Sequence, residues 1–179
     1  MSLEEARVIV VVYTAVLLPL IIYFFNKSKI PSWVPSFYII AVIVCALGWE
    51  IWFTFGWLDG DPVDIRRSAA LNTWLPKNIN WLMNSMGDAG AVLLGGFWLM
   101  WLTHNKDNSV FLEWKWSAFI VLLAWCIGQN ILVEMFLYHD QLAEGKPLSW
   151  APLSPLGPYF NPILFEFNNR TIMLQSQMP

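Results

Sequence analysis

Three acidic residues interrupt otherwise apolar stretches of this chain: Glu50, Asp88 and Glu134. A charged side chain costs ~2.5 kcal/mol or more near the centre of a bilayer and less toward its edge, so such residues turn away from lipid and toward a partner. Their neighbours at helical spacing are polar too. Asn80, Asn84 and Asp88 recur every four residues, as do Asn130, Glu134 and Tyr138, with Cys126 one turn deeper. Glu50 is followed at the same interval by Thr54. Side chains four apart share one face of a helix, so each acid belongs to a polar stripe. Stripes of this kind can converge on a proton, a cation or a small polar ligand, with Arg66 and Arg67 folding down from a neighbouring loop as counter-ions. The candidate ligand- or proton-binding set is therefore Glu50, Asp88, Glu134, Asn84, Asn130 and Arg66. The competing reading is structural. Buried carboxyls, protonated or hydrogen-bonded to Asn and Trp on other helices, also serve as glue inside a bundle.

Other chemistries lack their residues. The two histidines, His104 and His139, fall at opposite ends of the expected helices, so they cannot both ligate one haem. A carboxylate-histidine di-iron centre needs more histidines than these. Cys45 and Cys126 lie in apolar runs with no Cys or His nearby, which suits buried packing rather than a disulfide or zinc site. No Gly-x-Ser-x-Gly, phosphate-loop, dinucleotide or His-Glu-x-x-His pattern occurs. A net charge of −3 gives no footprint for nucleic acid. No catalytic residue, metal ligand or cofactor is assigned, and a bound lipid is the plausible companion.

The elements that must position the acids are helices in a membrane. Of the 179 residues 57% are hydrophobic and 13% charged, too few charges for a soluble domain that must cover itself with polar surface. Twelve Trp and twelve Phe suit side chains held at headgroup depth. Four apolar runs are long enough to cross a bilayer, at about 8–25, 37–57, 79–103 and 117–138. The first is not read as a signal peptide, because Glu4 and Glu5 replace a basic leader and no small-x-small cleavage site follows. Pro19 is expected to kink it. Glu50 lies seven residues before the end of the second run, roughly 10 Å deep at ~1.5 Å per residue. Gly87, Gly90, Gly95 and Gly96 make the third run smooth, and Ala91/Gly95 has the small-xxx-small spacing that lets helices approach closely.

The fold class is thus an all-α integral membrane protein: a bundle of about four transmembrane helices with an extracytoplasmic loop and a C-terminal β-hairpin-like tail. Residues 1–138 form the transmembrane domain and 139–179 a Pro-rich tail. Within it, two β-favouring runs around Asn168-Asn169 suggest a hairpin at 163–174. The ending at Gln177-Met178-Pro179 leaves room for a further helix. Four lysines, Lys27, Lys29, Lys106 and Lys115, crowd the two short linkers, which are read as cytoplasmic. The N-terminus, the 59–78 loop and the tail then lie outside, as in a multi-pass protein of a bacterial inner membrane.

Three functions compete. The leading expectation is a non-catalytic subunit or assembly partner of a larger membrane complex, given the small size, the aromatic surface and the missing catalytic motifs. Its partners are the bilayer and other membrane subunits or a second copy, not nucleic acid. The alternative is a small proton, cation or polar-ligand transporter or binding protein that uses the outer-leaflet carboxylates. Four helices without an internal repeat make a poor alternating-access carrier alone. A membrane enzyme acting on a lipid-soluble substrate comes last, because no nucleophile or metal set can be picked out.

Overall fold

The computed structural model describes residues 1–56, 61–133, 159, 163–167 and 170–173. Helix α1 (Leu3–Asn26) starts with a capping box: Ser2 Oγ accepts from the Glu5 N–H at 3.1 Å, while the Glu5 carboxylate accepts from the Ser2 N–H at 2.6 Å. It continues as one helix through Pro19. The expected second helix is two helices, α2 (Val34–Leu47) and α3 (Trp49–Phe55), which meet at an angle of 46°. The break falls at Gly48, where a Cβ would lie 2.6 Å from the Val44 carbonyl oxygen. Only glycine fits that turn without moving backbone.

The connection after α3, expected from the sequence to be a loop outside the helices, is partly helical. Short helices α4 (Val63–Arg66) and α5 (Ala69–Trp74) fold over the bundle end, with Val63, Leu71 and Leu75 buried. The Ser68 hydroxyl caps α5 by accepting from the Leu71 N–H at 3.3 Å and donates to Glu5 of the α1 cap. One serine thus joins two helix starts, and Tyr13 adds a bond from its hydroxyl to the Trp74 carbonyl at 3.0 Å.

Helix α6 (Lys77–Gly87), a π-helical segment (Asp88–Leu94) and α7 (Gly95–Thr103) make one continuous rod of 27 residues. The rod is the axis of the fold. Helix α1 packs on α6 and the π segment, α2 on the same two, α3 on α6, and α8 (Trp116–Leu132) on α7. The glycines serve both flanks. A Cβ at Gly90 would lie 3.0 Å from the Ala15 carbonyl oxygen of α1, and one at Gly96 would lie 2.5 Å from the Leu122 side chain of α8.

Two helices, α1 and the α6–α7 rod, are long and apolar enough to cross a membrane, and the bent α2–α3 pair makes a third if it counts as one span. Helix α8 is apolar, with 17 described residues; the rest of the expected 117–138 run lies outside the described residues. In the tail, Ile163–Phe167 pairs antiparallel with Arg170–Met173. The Asn168-Asn169 link and all of 134–158 lie outside the described residues.

Candidate functional site

The polar stripe of the rod faces α3. Glu50, on the first turn of α3, is 1% exposed and accepts from the Thr54 hydroxyl at 3.4 Å and from the Asn84 side chain. Asp88 opens the π segment and is partly buried, and its Oδ2 accepts from the Trp49 indole N–H at 2.7 Å. The two carboxyls are close enough to interact, and Cys45 of α2 lies near both. Trp81 of α6 ties the same seam to α2 by donating to the Ala46 carbonyl at 2.8 Å, beside the α2–α3 break. Because α2 ends at Gly48, α3 tilts and lays Trp49 and Glu50 against the rod instead of continuing past it.

Two arginines close one end of this seam. Arg66 is fully buried, donates to the Phe53 and Asp61 carbonyls, and places its guanidinium 5.0 Å from the Phe53 ring centroid. Arg67 donates to Asn72 Oδ1 at 3.2 Å, to Asn80 Oδ1 at 2.8 Å and to the Leu75 carbonyl. Burial pulls both guanidinium groups down to about 10, so each remains a cation at neutral pH. Arg66 is drawn back upward by Asp61 and Glu50, the charge relation a buried counter-ion requires. Arg66 Nη1 and Asn80 Nδ2 have no hydrogen-bond partner among the described residues. The end that must hold two cations is thus built of backbone carbonyls, amides and one aromatic face.

Glu50, Asn84, Asp88 and Arg66 therefore come to one seam. Asn130 does not join it within the described residues: it lies on α8, where Gln129 Nε2 donates to its Oδ1 at 2.6 Å. Glu134 lies outside the described residues, as do Tyr138 and His139. His104 bonds to the Met100 carbonyl and the Ser117 hydroxyl, each at 2.8 Å, and so links the end of α7 to the start of α8. Among the described residues no group of three or more His, Cys, Asp or Glu is placed to hold a metal ion.

Trp49 is the member of the seam that the spacing of polar residues does not single out. Its position just before Glu50 carries the signal, since an indole needs an acceptor when buried. Arg67 and Asn80 meet across 13 residues, a pairing no local spacing announces. The π segment at Asp88 has no marker in the sequence that we can name.

The far end of the bundle is aromatic. Phe97 of α7 stacks on Phe37 with centroids 6.2 Å apart and meets Trp33 and Phe111 edge-on at 5.7 and 5.9 Å. Met100, Trp101, Val110 and Ala118 form the buried cluster behind them. Trp125 of α8 donates to the Ala91 carbonyl in the π segment at 2.8 Å. No protein-family model, curated protein or solved structure matches this chain.

Proposed function

We propose that the chain is a multi-pass integral membrane protein acting as a non-catalytic subunit or stabilising partner of a larger membrane assembly. The observation that carries this reading is how the seam uses its polar groups. Trp49 to Asp88, Asn84 to Glu50, and Arg67 to Asn80 all run between elements, the pattern of interhelical glue. Helix α8 supports the subunit half of the proposal. Among the described residues of the helix Ala118 alone is buried, Ile120, Leu123, Ile127 and Leu132 are exposed, and a Cβ at Gly128 would meet no described residue within 4 Å. On that helix Gln129 Nε2 donates to Asn130 Oδ1 and to the Cys126 carbonyl, an amide pair that a second polypeptide in the membrane would satisfy better than lipid.

In this reading α1, the α2–α3 pair, the rod and α8 are four crossings of a bacterial inner membrane. The lysine-bearing linkers at 27–33 and 104–115 are cytoplasmic, and the N-terminus, the arginine-capped end and the tail are extracytoplasmic. The bonds from Tyr13 to Trp74 and from Ser68 to Glu5 support this grouping, because they gather the start of α1 and the α4–α5 connection at one end. Purification in mild detergent should retain partners in fixed stoichiometry, read by native mass. A stable, homogeneous monomer would overturn the proposal.

A second reading, proton or cation binding, is favoured by one observation: Glu50 and Asp88 face each other closely enough to interact. Glu50→Gln and Asp88→Asn separate the two. Loss of proton or ion uptake in proteoliposomes, with folding intact, supports binding; loss of the fold supports the structural lock.

A further inference from the structure

The Lys115 side of the bundle holds a cavity that the polar seam does not involve. It is a cleft open on one side, measures about 190 Å³ and lies between Phe97 and Met100 of α7, Val110 and Phe111 of a 3-10 turn (Asn108–Phe111), and Ala118 and Phe119 of α8. Its walls are apolar. An apolar void of roughly 150 Å³ stays dry and accepts a benzene-sized guest, so this one has room for several methylenes of a chain.

Its mouth differs from its walls. Glu113 and Lys115 line the rim, and Lys115 Nζ stands 3.4 Å from the Asp107 carboxylate. The Ser109 N–H and hydroxyl hold Asp107 down at about 2, with Lys115 adding to the effect, so it is a carboxylate at any physiological pH. Trp114 and Trp116 flank the mouth at 66% and 67% exposure, the posture of aromatic side chains at headgroup depth. A slot with methylene-sized space inside and both charge signs at its lip matches a zwitterionic lipid.

We infer that this cleft binds a phospholipid with an ethanolamine headgroup, its acyl chain against Phe97, Phe111 and Phe119 and its headgroup across Glu113 and Lys115. The inference rests on the membrane reading given above. The apolar walls do not choose between lipids, because every chain leaves an equally apolar bilayer to enter them. Selection falls to the rim. The phosphate accepts from the remaining N–H of the Lys115 ammonium, whose other donors face Asp107 and the Ser109 hydroxyl, and the primary ammonium donates to the exposed Glu113 carboxylate. A choline headgroup has no N–H to donate, and a glycerol headgroup brings net negative charge toward Glu113 without a cation to offset it.

The full chain, reconstituted in vesicles of equal phosphatidylethanolamine, phosphatidylglycerol and phosphatidylcholine and then extracted for native mass spectrometry, tests this. Phosphatidylethanolamine should be enriched by about fivefold, the worth of about one exposed ion pair. Glu113→Gln should return it to parity with unchanged thermal stability, since Glu113 is exposed at the rim. Ala118→Leu should lower total retained lipid by filling the cavity. No enrichment, enrichment of another lipid, a second protein chain in place of lipid, or indifference to Glu113→Gln would overturn the inference. Alkaline extraction of membranes keeps the two readings apart. If the chain stays in the pellet but shows no lipid preference, only the lipid site fails; if it leaves the membrane, both fail.

Discussion

The two ends of the helical body are held by different forces. At the arginine end, Arg66, Arg67, Asn80 and Glu50 are all buried, and each hydrogen bond has a fixed direction and a named acceptor. At the aromatic end, Trp33, Phe37, Phe97 and Phe111 meet through ring faces and edges whose angles vary widely. Directional bonds specify one arrangement and fail badly when one partner is lost, because the other is left buried and unsatisfied. Ring contacts are softer and tolerate a change of shape at lower cost. That difference suits the proposed roles: a rigid lock at one end, and at the other a surface with a cavity that an acyl chain can occupy.

Arg67→Met should break the comparison most forcefully. It keeps much of the side-chain length but strips donors from Asn72, Asn80 and the Leu75 carbonyl. The expected loss is about 3 kcal/mol in denaturant-titrated unfolding in detergent, from buried acceptors left unpaired. A loss under about 1 kcal/mol would show that the seam is not a lock. Phe97→Leu should cost less, about 1.5 kcal/mol, since up to three ring pairs at ~0.5–1.5 kcal/mol each are lost while most of the volume is kept. If Phe97→Leu proves the more damaging change, the contrast between the ends is inverted.

Smaller changes sharpen the same contrast. Trp49→Phe removes the donor to Asp88 together with part of the ring and should cost about 1 kcal/mol, the scale of one interhelical hydrogen bond. The weakest expected effect is acid-induced loosening of the turn near Lys115. The Asp107 carboxylate is held at about 2, below its ordinary value near 3.8. Because the folded value is the lower one, its contribution is present above pH 4 and disappears as pH falls from about 4 to about 2. Hydrogen exchange should then rise at Ser109 and Val110 while the arginine end stays protected, and Asp107→Asn should reproduce this at neutral pH.

Much of the seam was legible because local spacing created it. The four-residue repeat of Asn80, Asn84 and Asp88 predicts a single polar face, and those residues do line the surface that meets α3. Hydropathy located the long helices: runs expected at 8–25 and 79–103 correspond to α1 and to the continuous rod from Lys77 to Thr103. These features depend on residues at most a few turns apart, so the amino-acid order alone determines them.

Tertiary structure decided what depends on distant partners. Gly48 looks like any small residue inside an apolar run, yet it ends α2 and swings Glu50 toward the rod. Arg66 and Arg67 are expected from the sequence to fold down from their loop, but the groups that receive them, the Phe53 and Leu75 carbonyls and Asn80, are set by packing. The acids in the apolar runs show the division most clearly. On the membrane reading, the sequence positions of Glu50 and Asp88 call for them to turn inward, since lipid cannot solvate a carboxylate. Which groups answer them, Trp49 for Asp88 and Asn84 with Thr54 for Glu50, was fixed by packing, because a hydrogen bond exists only where the folded chain brings donor and acceptor within reach.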